Sequence, residues 1–68
     1  MFRLYCEDND PKGMAIKMFL NSKGVEFETL NPSDLPDYVT DEELPVLMRD
    51  STIEVTGYDP SALASIFK

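Results

Sequence analysis

The sequence predicts a small α/β domain with a four-stranded mixed sheet, in the order strand, helix, strand, short link, strand, strand, helix. Two alternating apolar segments, 2–6 and 25–30, bracket one amphipathic stretch, the pattern of a right-handed βαβ unit with parallel strands. Two further strand-like runs, 46–48 and 52–55, are joined by a short polar turn and read as a hairpin. The dipeptide Asp-Pro opens both helical segments, at 10–11 and 59–60.

Phe2-Arg3-Leu4-Tyr5-Cys6 alternates and is rich in β-favouring side chains, and its period puts Cys6 on the face of Phe2 and Leu4. Glu7 to Asp10 is a polar loop. The Asp10 carboxylate suits a helix cap, and Pro11 suits the first helical position, where the N–H it lacks has no partner. From Pro11 to Lys23, residues Ala15, Ile16, Phe19 and Leu20 share one face; Met14 and Met18 flank it as core filler, with Lys17 and Asn21 opposite. Gly24 is the C-terminal stop, and Val25-Glu26-Phe27-Glu28-Thr29-Leu30 alternates as the second strand. Between Asn31 and Leu44, Pro36 and the β-branched pair Val39-Thr40 oppose a long helix and favour a single turn or a loop. Val46-Leu47-Met48 reads as a strand buried on both faces, Arg49-Asp50-Ser51 as its turn, and Thr52-Ile53-Glu54-Val55 as an alternating edge strand. After Thr56-Gly57-Tyr58, with Tyr58 packing where the helix begins, a last helix turns Leu63, Ile66 and Phe67 inward.

Sixty-eight residues make one domain, 1–68, near the size at which a core alone is just sufficient. A single Cys excludes an internal disulfide, and with no His an ordinary zinc site is not expected. The run Asp8 to Gly13 superficially suggests a calcium loop, but Lys12 stands at a ligand position and Phe19 where the bidentate Glu is needed, so no metal is expected. No stretch has the length of a membrane span, and Met1-Phe2-Arg3-Leu4 lacks the apolar run of a secretory signal, so the expectation is a cytoplasmic chain. Thirteen acidic against six basic side chains, a net charge of −7, oppose nucleic-acid or membrane binding and favour a basic partner. Solubility of a small acidic domain explains the same charge.

The element order, with a Pro just before the third strand, resembles the core of the thioredoxin fold. Leu4-Tyr5, the helix ending Asn21-Ser22-Lys23-Gly24, Leu44-Pro45-Val46 and Thr56-Gly57-Tyr58-Asp59-Pro60 together resemble the glutaredoxin family, in particular its NrdH-type redoxins. Each motif alone is common; their order and spacing over nearly the whole chain carry the likeness. The segment from Leu30 to Pro45 is several residues shorter than the family's, which puts its second helix in doubt. The resemblance implies a cis Pro45, a Leu44 backbone free to pair with an extended peptide or glutathione, and Gly57, Tyr58 and Asp59 at the same groove. It also implies a Cys-x-x-Cys at the start of the first helix, and ungapped alignment puts Asp10 and Gly13 at those two cysteines, as Asp10-Pro11-Lys12-Gly13. Both thiols are gone, and the Asp10 carboxylate keeps the negative charge at the helix N-terminus.

The reading that follows is a protein-binding module without cofactor, monomeric, with a groove formed by residues 10–13, Leu44, Pro45 and 57–59. Glu7, Asp8, Asp41, Glu42 and Glu43 join Asp10 and Asp59 on an acidic rim that faces a basic partner. Lys12 is a solvated side chain or a contact for a bound carboxylate. A stripped scaffold of this size suits a compact genome such as a phage's. The alternatives are a monothiol oxidoreductase using Cys6 with glutathione, and a glutathione-binding domain without turnover; Thr56-Gly57, in place of the family's usual Gly pair, weakens the latter.

Overall fold

Four strands, β1 (Phe2–Tyr5), β2 (Phe27–Leu30), β3 (Val46–Arg49) and β4 (Thr52–Thr56), form one mixed sheet in the order β2-β1-β3-β4. A computed structural model describes residues 1–67. β1 runs parallel to β2, with Phe2 opposite Phe27, and antiparallel to β3, with Leu4 opposite Leu47. The parallel pair requires a crossover, which is helix α1 (Pro11–Ser22). β3 and β4 close a hairpin whose turn is Asp50-Ser51, with Asp50 at a φ of 56°. Helix α2 (Pro60–Ile66) follows β4. Among the described residues no helix is long and apolar enough to cross a membrane.

Alternation along β1 and β3 sends successive side chains to opposite faces, and both faces are covered. On one side Leu4, Cys6, Leu47 and Val55 pack with Ile16 and Leu20 of α1 and Leu63 of α2. Phe67 lies against Phe2 and Phe19, with ring centroids 5.0 and 6.2 Å apart. On the other side Tyr5, Val46 and Met48 meet Val39, Leu35 and Leu44 of the segment between β2 and β3. This linker has no long helix; it folds as two short 3-10 turns, Pro32–Asp34 and Asp41–Glu43. Val39, 6% exposed, is its buried anchor, and the Tyr38 hydroxyl donates to the Ser51 carbonyl at 3.1 Å.

Several expectations from periodicity are corrected. Met14 and Met18 are not core filler: they are 53% and 72% exposed, on the outward side of α1, because Gly13, Ile16 and Leu20 form the buried row. Lys17 is half-buried rather than opposite the core. Val25 and Glu26 do not belong to β2; the Val25 N–H donates to the Leu20 carbonyl at 3.0 Å, turning the chain behind Gly24, whose φ is 69°. In β4 the alternation is broken by a bulge: Val55 pairs with Leu47, whereas Ile53 pairs with Met48, so the two apolar side chains of one run go to opposite faces. Tyr58, expected to pack where α2 begins, is 46% exposed rather than enclosed.

Because Val39 alone in the linker is fully enclosed by the sheet's second face, Val39→Ala is expected to cost about 2 kcal/mol through lost burial and the cavity left behind. Urea unfolding of the two proteins checks this.

Candidate functional site

The loop between β1 and α1 is built by local hydrogen bonds. The Asp10 N–H donates to the Glu7 carbonyl at 3.3 Å, and Asn9 takes a φ of 62°, a left-handed conformation that Asn tolerates better than most residues. Asp10 then caps α1: its carboxylate accepts from the Lys12 N–H at 3.1 Å, and its carbonyl accepts from the Met14 N–H at 2.9 Å. Pro11 occupies the first turn as its missing N–H allows. Asp59 repeats this at α2, accepting from the Ala62 N–H at 3.1 Å.

Beside this cap lies a groove of about 460 Å³, lined by Glu7, Asp8, Asn9, Asp10, Pro11, Lys12, Asp41 and Leu44. Its charges are four carboxylates and one ammonium. The structure therefore joins Asp10, Pro11, Lys12 and Leu44 with the rim residues Glu7, Asp8 and Asp41. Glu42, Glu43, Gly57, Tyr58 and Asp59 do not line the groove, and Pro45 is buried behind Leu44. Asn9, which the sequence reading passed over, does line it; Asn flanked by two Asp in a loop was the signal available. Gly57, with a φ of 68°, instead ties the end of β4 to the linker, its N–H donating to the Glu43 and Pro45 carbonyls at 3.0 and 2.7 Å.

Two further expectations change. The Leu44–Pro45 peptide bond is cis, as the resemblance implies, but the Leu44 N–H is not free for an added strand: it donates to the Asp41 carbonyl at 3.2 Å within the second 3-10 turn. Gly13 does not face the groove. It is buried against Cys6, where an added Cβ would lie 2.8 Å from the Cys6 Cβ and 3.0 Å from its sulfur, so glycine is what lets the first turn of α1 settle on β1.

No protein-family model, curated protein or solved structure matches the chain. What the groove can do follows from its own charges. Four carboxylates around an open cleft attract a cation or a basic side chain and repel an anion. Among the described residues no group of three or more His, Cys, Asp or Glu is arranged to hold a metal ion. Cys6, 3% exposed, lies under the helix rather than in the groove. Burial pushes its thiol above the ordinary value; the Lys17 ammonium opposes the rise, and the Asp10 and Asp8 carboxylates add to it. A thiol raised in this way is a poor nucleophile at neutral pH.

Two outcomes are expected. Asp10→Ala removes the cap and should cost about 1 kcal/mol, whereas Asp10→Asn keeps an acceptor and should cost a few tenths, as thermal melts will show. Cys6 should alkylate in the native protein far more slowly than in urea. Below pH 9.0 the thiol is protonated in both states; above it the unfolded chain loses the proton first, so stability falls as the pH rises toward the raised native value. The stability gap between wild type and Cys6→Ala should therefore narrow above pH 9.0.

Proposed function

We propose that the chain is a glutaredoxin-like protein of the thioredoxin type that has lost its redox cysteines and acts in the cytoplasm as a non-catalytic binding module for a protein with a basic surface. The observation that carries this reading is the groove beside the α1 N-terminus, where Glu7, Asp8, Asp10 and Asp41 face one ammonium, that of Lys12. The fold assignment is supported by the strand order β2-β1-β3-β4 with its one parallel pair, by helices on one face, and by a cis Pro just before β3. Of these, the cis Pro is a feature that the resemblance implies.

The groove favours a basic segment of a partner over glutathione. Glutathione carries two carboxylates, which the four acidic side chains oppose, and the Leu44 N–H that would have bound its backbone is already used. The one thiol is enclosed. A Lys or Arg side chain laid across the cleft meets several carboxylates within one Debye length, about 8 Å at physiological salt, and approach is accelerated by the acidic surface around it.

Amide chemical shifts test this with two ligands, a capped Lys-Arg-Lys peptide and glutathione. The basic peptide is expected to move Glu7 to Lys12, Asp41 and Leu44, with an affinity that falls as salt rises. Asp8→Asn with Asp41→Asn should weaken it about tenfold, the scale of two lost charge contacts. Shifts with glutathione instead, or a basic peptide that leaves the loop unmoved, would defeat the proposal.

A further inference from the structure

The two covers of the sheet are held very differently. On one face the helices bring Ile16, Leu20 and Leu63, all at 0% exposure, with Phe19 and Phe67 packed against them. On the other face the linker, residues 31–44, brings one buried side chain, Val39, with Leu35 and Leu44 half-buried beside it. Its backbone hydrogen bonds are local: the N–H groups of Asp34, Leu35, Val39, Glu43 and Leu44 each donate to the carbonyl three residues back. Neither 3-10 turn has a side-chain cap. Among the described residues two hydrogen bonds tie the linker to the rest. One runs from the Gly57 N–H to the Glu43 carbonyl at 3.0 Å, near its end, and the other from the Tyr38 hydroxyl to the Ser51 carbonyl at 3.1 Å.

Charge also opposes closure. The linker carries Asp34, Asp37, Asp41, Glu42 and Glu43 and no basic side chain. When it lies on the sheet, Asp41 joins Glu7, Asp8 and Asp10 around one groove. Like charges brought together cost free energy that is recovered when the linker lifts.

We propose that residues 31–44 are a strap that lifts from the sheet as one unit while β1, β3 and the helices stay packed, and that a basic ligand in the groove holds it shut. A segment with one buried side chain and two outward hydrogen bonds opens at lower free energy than the helical face. Lifting takes Asp41 away from the wall formed by residues 7–12. A cation that touches both walls therefore binds the closed form better, and this difference in affinity is the coupling. The coupling rests on the proposed use of the groove, whereas the lifting does not.

Thiol alkylation separates the two covers. Met48, 1% exposed, lies under the strap, and Cys6, 3% exposed, lies under the helices. In Met48→Cys the chain carries one thiol beneath each cover, and each rate is taken relative to the same thiol in urea. Position 48 is expected to react about tenfold or more faster than Cys6. Equal rates would mean that both covers open together, which overturns the proposal. Hydrogen exchange of the wild type reads the same event without a substitution: the Leu35, Val39 and Leu44 amides should share one opening, with a shallower urea dependence than the amides of β1. Linker amides that follow β1, or that exchange one by one with no urea dependence, overturn it too.

The capped Lys-Arg-Lys peptide, at ten times its Kd, should slow alkylation at position 48 about tenfold. Asp41→Asn, added to Met48→Cys, should slow it about threefold, the scale of one exposed charge interaction. A peptide that shifts the groove amides yet leaves this rate unchanged overturns the coupling. A peptide that shifts nothing overturns the use of the groove, and the Asp41→Asn rate then decides whether charge opposes closure.

Discussion

The constraint on which the rest of the structure depends is that β3 is apolar on both faces. Val46 and Leu47 are fully buried and Met48 nearly so, and alternation sends Leu47 one way and its two neighbours the other. A strand of this kind needs two covers. The helices supply one, with Ile16, Leu20 and Leu63 against Leu47. Among the described residues the second cover is the linker, which lies on the sheet and closes it with Leu35, Val39 and Leu44. Two 3-10 turns rather than a helix suffice because only a few apolar side chains have to reach the sheet.

That cover also shapes the acidic groove. Its second 3-10 turn brings Asp41 to the loop before α1, and the same turn consumes the Leu44 N–H. A segment that was expected to be an open edge for peptide pairing has thereby become part of a charged cleft. On the opposite wall, the cap on α1 keeps the Asp10 carboxylate on the helix's positive end, where a charge is stabilised, beside the carboxylates of Glu7, Asp8 and Asp41. Lys12 is the one ammonium in the lining. The site therefore has an anion at a helix start and presents an acidic surface outward.

Cys6 shows how packing settles chemistry. Gly13 lets α1 settle directly on the Cys6 side chain, so closely that an added Cβ would lie 2.8 Å from the Cys6 Cβ and 3.0 Å from its sulfur, and the thiol is buried in that contact.

The sequence by itself determined what depends on near neighbours. Asp-Pro at 10–11 and 59–60 starts both helices, Gly24 ends the first, Asp50-Ser51 turns the hairpin, and Pro36 with Val39-Thr40 keeps the linker from forming a long helix; each rests on dihedral limits or hydrogen bonds within a few residues. The β1 alternation that put Cys6 with Leu4 also held, since a strand flanked on both sides has little freedom to slip. What only the tertiary structure decided is which side of each element is enclosed and which polar groups are left over. The bulge that separates Ile53 from Val55, the outward turn of Met14 and Met18, the half-burial of Lys17 and the bonded Leu44 N–H all depend on partners many residues away. Periodicity names the faces of a helix or strand. Which face is buried, and how far, is set by the surface that another part of the chain brings to it.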